Sequence, residues 1–325
     1  MPGPVLRRAL RRLVRAAAVA WVAATASFAL LHLAPGDPVA ATAAHPALDA
    51  RHRAELRARL GLDRPVAEQY ARWLGATARG DLGWSVTHQR PVAEVVGEAL
   101  PRTALLVGTA LALAFAGGVA AGAFAGWRPR HPAARFVGTV AVALHATPEF
   151  LVGLALLTVF ALRLGVLPPG GLADPVADAL PGWGARALDR ARHLALPATA
   201  LALAWTASIL RHQRAAVADA ADEDFVRTAR AKGVPEFQVA SRHALRPALA
   251  PTLALVGLAL PALVGGAVVT ESVFGWPGLG LVAAQAVAAR DYALVTGVVV
   301  AGSAAVALGA WLADVLHAWA DPRTA

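Results

Sequence analysis

Asp222–Pro251 reads DEDFVRTARAKGVPEFQVASRHALRPALAP, a polar, basic stretch of about thirty residues closed in by long apolar runs on both sides. It is too short to be a domain and too rich in helix formers for a mere turn. Asp222, Glu223 and Asp224 place negative charge at the positive end of a first short helix, and Glu223 stands four residues before Arg227 for an ion pair. Gly233 stops that helix, and Pro235 suits the first position of a second, where its missing N–H has no helical partner in any case. Phe225, Ala229 and Lys232 fall on one side of the first helix, Arg227 and Arg230 on another. The spacing predicts a bent, two-helix docking loop with small residues at its knee.

The surroundings of this stretch set the protein class. Of 325 residues 57% are hydrophobic and only 16% charged, with a mean hydropathy of +0.54; this is the composition of a membrane protein. The net charge of +9 comes from clusters beside apolar runs rather than from a soluble basic face, which argues against nucleic acid as a partner. With no cysteine, disulfides, thiol catalysis and thiolate metal sites are excluded.

Outward from the loop, the chain reads as six spans. Arg7, Arg8, Arg11, Arg12 and Arg15 precede an apolar run, Ala16–Leu31, that fits a retained first span and also has the look of a signal peptide. Residues 32 to about 101 form a polar insert with one amphipathic helix expected at Asp49–Leu60. Thr103–Gly126 follows, with Gly118, Gly122 and Gly126 at four-residue spacing, a surface for close helix packing within the chain or between chains. A basic turn at Trp127–Arg135, an apolar segment Phe136–Leu162, an outer loop at 163–193, then Leu194–Leu210, Pro251–Thr270 and Ala293–Leu316 complete the pass. The arginines place both termini, the 127–135 turn and the docking loop in the cytosol. The chain thus divides into an N-terminal region, residues 1–95 (tail, first span and extracytoplasmic insert), and a five-helix core, residues 96–325, with its loop at 211–250.

The chain has a single lysine, Lys232, and no phosphate-binding G-x-x-x-x-G-K-S/T, so any ATP used in transport is hydrolysed by another subunit. No cofactor and no metal site is expected in this chain. His145 and Glu149 have the four-residue spacing of a metal or proton-relay pair, but Pro148 disturbs the helix that would align them. Three readings stay open: polar groups near an aqueous pathway, caps of a broken helix, or a coupled proton site. Glu271, with Trp276 close by, reads as an anchor at the water boundary or as a gate at the outer mouth. Pro261, Gly265 and Gly266 make the fifth span the candidate for a broken, pathway-lining helix. None of the serines has a nucleophile-elbow context.

Phe225–Gly233 followed by Arg242-His243-Ala244-Leu245-Arg246 resembles the EAA loop of ABC-importer permeases. Aligned on Gly233, the Glu-Ala-Ala of that loop falls on Arg227, Thr228 and Ala229, so only the second alanine and the glycine match strictly; Pro247 lies one place beyond the usual proline. Further phrases resemble the B-type permease of dipeptide, oligopeptide and nickel importers: Pro35–Pro38, Leu60–Asp63, Tyr70 with Trp73, Gly80–Gly83 with Ser85, Pro148 with Phe150, Glu271–Gly280, Arg290–Tyr292 and Asp321–Arg323. The resemblance covers nearly the whole chain. It implies an all-α polytopic protein of the type I ABC importer permease fold in the cytoplasmic membrane, paired with a C-type permease, two ATPase subunits and an extracytoplasmic binding protein. It also implies that Arg227, Thr228, Ala229, Arg230, Ala231, Lys232 and Gly233 form the ATPase contact. Peptide is the expected cargo, with nickel or glutathione as alternatives; a lone proton-coupled carrier built on His145 and Glu149 is the competing class.

Overall fold

The structure, a computed structural model, describes residues 4–33, 63–175 and 182–320, with the side chains of 4–13, 15, 16, 31, 254, 256–266 and 312–320 outside the description. The expected amphipathic helix Asp49–Leu60 and the phrases Pro35–Pro38 and Asp321–Arg323 lie outside the described residues. Contacts divide the chain into two units, Met1–Arg102 with Gly278–Leu308, and Thr103–Pro277 with Gly309–Ala325.

In the first unit, α1 (Pro4–Leu33) packs against α2 (Val66–Thr77) through aromatic rings. Phe28 lies 5.4 Å from Tyr70 and 5.3 Å from Trp73 between centroids, and Trp21 Nε1 donates to the Tyr70 hydroxyl at 3.0 Å. The three-residue spacing of Tyr70 and Trp73 puts both rings on one face of α2. A short antiparallel hairpin follows, β1 (Trp84–Ser85) with β2 (Arg90–Pro91). Gly80 and Gly83 enter it at φ +84° and +85°, which only glycine adopts without strain. Asp291 anchors the hairpin: its Oδ2 accepts from Ser85 Oγ at 2.7 Å and Thr87 N at 2.9 Å, while Oδ1 accepts from Leu294 N at 3.1 Å. Two phrases 206 residues apart in sequence thus meet in one buried polar knot. Val92, Val95 and Val96 of α3 (Val92–Trp127) pack with α10 (Leu279–Ala288) and with Leu294 of α11 (Tyr292–Ala320). Each such side chain contributes roughly 1.5–3 kcal/mol by leaving water.

The second unit holds the rest of α3, α4 (Pro132–Ala146), α5 (Glu149–Leu156, prolonged by a π-helical stretch to Arg163), α6 (Trp183–Ala221) and α9 (Leu245–Phe274). Its core gathers Leu106, Ala110 and Ala114 with Leu201, Ile209, Ala267 and Trp276. The glycine row on α3 packs within the chain. A Cβ on Gly118 would stand 2.6 Å from Ile209, one on Gly122 2.7 Å from the Leu210 carbonyl, and one on Gly126 2.6 Å from the Arg214 carbonyl. Only glycine lets α3 and α6 come this close.

Among the described residues three helices are long and apolar enough to cross a bilayer, or up to five if each of two bent helix pairs is one span; Ala17–Leu30 is a shorter apolar stretch. The expected start of the second span near Thr103 moves to Val92, because the helix runs on beyond its apolar portion. At about 1.5 Å per residue, α3 and α6 exceed the roughly 30 Å of a hydrocarbon core and project past it. The fifth expected span is one continuous helix through Pro261, Gly265 and Gly266, not a broken one.

Candidate functional site

The polar loop folds as its sequence dictates up to its knee. Helix α7 (Asp224–Ala231) starts after Glu223 and ends at Gly233, whose φ of +73° is the left-handed cap. Gly233 N donates to the Arg230 carbonyl at 2.9 Å and Val234 N to the Ala229 carbonyl at 3.2 Å, closing the end. Pro235 is the cap that precedes Glu236–Gln238 (α8) rather than the first helical residue, since Gln238 N donates to its carbonyl at 2.8 Å. From Val239 a π-helical stretch runs directly into α9, so the second short helix is the foot of a long one, and Pro247 and Pro251 lie inside it.

The loop carries its own small core. Val226, Ala229, Val239 and Ala244 are buried with Ala220, and Trp127 and Val234 pack against them. The inward face is therefore Val226 with Ala229; Phe225 stands 44% exposed, and Lys232 is exposed too. Ala229 must be small because it faces this core, whereas Arg227, Thr228, Arg230, Ala231, Lys232 and Gly233 are exposed. Arg227 pairs with Asp224 at 3.2 Å, not with Glu223, which is outside the helix as its cap. Arg230 grips the knee from both sides: its guanidinium lies 5.0 Å over the Trp127 ring and forks onto Glu236 at 2.9 and 3.3 Å. Hydrogen bonding from Arg230 holds the Glu236 carboxyl below its ordinary range, against the opposing effect of burial. Between the loop and the last turn of α3 lies a cavity of about 300 Å³ lined by Phe124, Trp127, Arg128, Glu236, Phe237 and Ser241. Phe237 is 82% exposed. The exposed face of the loop thus presents guanidinium, ammonium and aromatic groups, a chemistry suited to binding a partner.

The other sequence candidates do not assemble into one site. Helix α4 ends at Ala146 and α5 starts at Glu149 with a bend of 109°, so His145 and Glu149 do not share a helix face. The cause is Pro148, which caps α5 without an N–H to donate. His145 Nε2 instead meets Arg211 at 3.4 Å, while Glu149 accepts from Thr270 Oγ1. Glu271 is fully buried and accepts from Thr103 Oγ1 at 2.6 Å. Trp276 is fully buried as well, its backbone N–H donating to the Glu271 carbonyl at 2.9 Å, so the reading of this pair as a boundary anchor is overturned. A core tryptophan and an interfacial one have the same sequence signature. The side chains of Pro261, Gly265 and Gly266 lie outside the described residues.

Sequence reasoning missed Gln213 and Thr252. Both are fully buried, and Thr252 Oγ1 donates to Gln213 Oε1 at 2.6 Å, joining α6 to α9. Gln213 sits in RHQR, which reads as a solvated helix end; only tertiary contacts reveal it.

Comparison with known proteins agrees with this architecture. Residues 118–325 match the family described as binding-protein-dependent transport system inner membrane component, and residues 5–107 match its N-terminal family. A putative peptide permease protein of Brucella ovis is 37% identical over 322 residues, covering 98% of this chain and 99% of the relative. The oligopeptide transport system permease protein AppB of Bacillus subtilis is 35% identical over 298 residues, 91% and 92% of the two chains. The glutathione transport system permease protein GsiC of Escherichia coli is 35% identical over 319 residues, 98% of each. The chain belongs to the family of inner membrane components of binding-protein-dependent transport systems, the multi-pass permease subunits of ABC importers.

Proposed function

We propose that this chain is the B-type permease of an ATP-driven peptide importer, forming the translocation pathway together with a C-type permease. Six spans, with both termini in the cytosol, divide it into the N-terminal region 1–95 with its extracytoplasmic insert and the 96–325 core. The exposed residues Arg227, Thr228, Arg230, Ala231, Lys232 and Gly233 dock on one of two ATPase subunits, which bind and hydrolyse the ATP; the chain itself binds no cofactor. An extracytoplasmic binding protein delivers cargo. The observation that carries this reading is the loop itself: a short helix set at a fixed angle by Gly233, braced by Arg230 against Trp127 and Glu236, and turned outward. Stiffness is what such a loop needs if ATP-driven closure of the ATPases is to rock a helix bundle. The peptide assignment rests on the names of the Brucella and Bacillus relatives; glutathione is a second reading, favoured by the Escherichia coli relative.

The absence of cysteine allows a clean test. Phe237→Cys, exposed on the loop, should cross-link to an ATPase subunit in membranes of the native host. Uptake of alanyl-alanine should be competed by other dipeptides and not by nickel. A cross-link to no ATPase, or competition by nickel alone, refutes the docking and cargo assignments respectively.

A further inference from the structure

Gln213 and Thr252 lie about two turns from the points where α6 and α9 enter and leave the polar loop. Helix α3 reaches the same level: a Cβ on Gly122 would stand 2.8 Å from Gln213 Cβ. The loop in turn is fastened to the end of α3 through Arg230 and Trp127. Loop, α6, α9 and α3 thus make a closed ring of contacts, in which Gln213–Thr252 is a fully buried polar joint. Apolar surfaces slide past one another with little directional preference, whereas a buried hydrogen bond fixes register and is expensive to leave unmade.

We propose that Gln213 and Thr252 are the positioning residues that turn displacement of the loop into movement of the helix bundle. The inference rests on the loop being the ATPase contact. It draws on one more observation: Gln213 Nε2 is buried and has no hydrogen-bond partner among the described residues. A buried amide with an unused donor gains a bond when a neighbouring carbonyl moves into reach. A shift of α6 against α9 that parts Gln213 from Thr252 is thus opposed, and one that brings a carbonyl to the amide is favoured.

The test uses the complete transporter in proteoliposomes, with alanyl-alanine and glutathione as uptake probes. Thr252→Val replaces the hydroxyl by a methyl of similar size, and Gln213→Leu removes the amide. Each variant should retain its ATPase subunits and hydrolyse ATP near the wild-type rate, while uptake per ATP falls roughly five- to tenfold. Thr252→Ser, which keeps the donor, should restore the wild-type ratio. The double variant should be no worse than either single one, because the two share one contact. An unchanged uptake-to-hydrolysis ratio in both single variants overturns the inference. So does a parallel fall of uptake, hydrolysis and complex yield, the signature of a merely structural bond. If wild-type complexes carry no ATPase on the loop, the docking assignment fails and this inference with it.

Discussion

Gly122→Ala is the sharpest test of the seam between α3 and α6. Its Cβ would lie 2.7 Å from the Leu210 carbonyl oxygen, 2.8 Å from Gln213 Cβ and 3.2 Å from Arg214 N. Ordinary contacts of carbon with carbonyl oxygen begin near about 3.3 Å, so the helices must part by roughly 0.6 Å, and two of the three obstacles are backbone. Overpacking of this kind costs about 1–3 kcal/mol. Alanine also carries a helix-propensity gain of about 0.8–1 kcal/mol over glycine, which obscures the single measurement. Gly108→Ala, on the same helix with nothing within 4 Å of its Cβ, takes the gain without the clash. The difference between the two variants isolates the overpacking, and Gly122→Ala should be about 1–3 kcal/mol less stable than Gly108→Ala. Reversible unfolding of the purified permease in mixed micelles measures it. Equal stabilities would refute the close approach, and a loss of self-association at unchanged stability would move the glycine row to an interface between chains.

Three further outcomes follow from the geometry. Gly233→Val meets no neighbour within 4 Å but must hold φ near +73°, at a cost of about 1–2 kcal/mol for a residue with a Cβ; insertion should be unchanged and uptake lost, and full uptake would contradict the role of the cap. Arg230 lowers the folded pKa of Glu236 below 4.5, so the bond stabilises the knee above the ordinary carboxylate range and that support disappears as pH falls through the folded value. A spin label at Phe237 should become more mobile on acidification below about pH 4.5, modestly because the pair is exposed, and Glu236→Gln should flatten the profile. Asp291→Ala strands the buried Ser85 hydroxyl and the amides of Thr87 and Leu294; about 1–3 kcal/mol for the hydroxyl alone should appear as faster proteolysis around residues 84–91.

Local chemistry is what the sequence makes legible. Gly233 as a stop, Pro148 as a break and the apolar cores of the spans each follow from one residue's geometry or from a run of hydropathy. Helix ends outside the apolar runs are not legible, because α3 gains its first turns from packing of Val92, Val95 and Val96 rather than from hydropathy. The spacing that groups Phe225 and Lys232 with Ala229 does not select the inward face of α7, which is Val226 with Ala229, because one short helix offers too few turns to fix its phase. Trp276 and Glu271 carry the pattern of a membrane boundary, which their burial contradicts. The joints Gln213–Thr252 and Ser85–Asp291 depend on partners far away in the chain.

Helix α6 has one backbone weakness with a mechanical meaning. Pro197 is its sole proline and supplies no N–H to the helical ladder. N-terminal to this point, Arg192 Nη2 donates to the Val166 carbonyl and Asp189 accepts from Asp174 N, tying that end to the 163–175 segment. C-terminal to it, the glycine seam and Gln213 tie the rest to α3 and α9. The ladder of α6 therefore lacks a bond at Pro197, and the buried side chains of Leu196, Ala198 and Leu201 around it hold the helix continuous by packing instead.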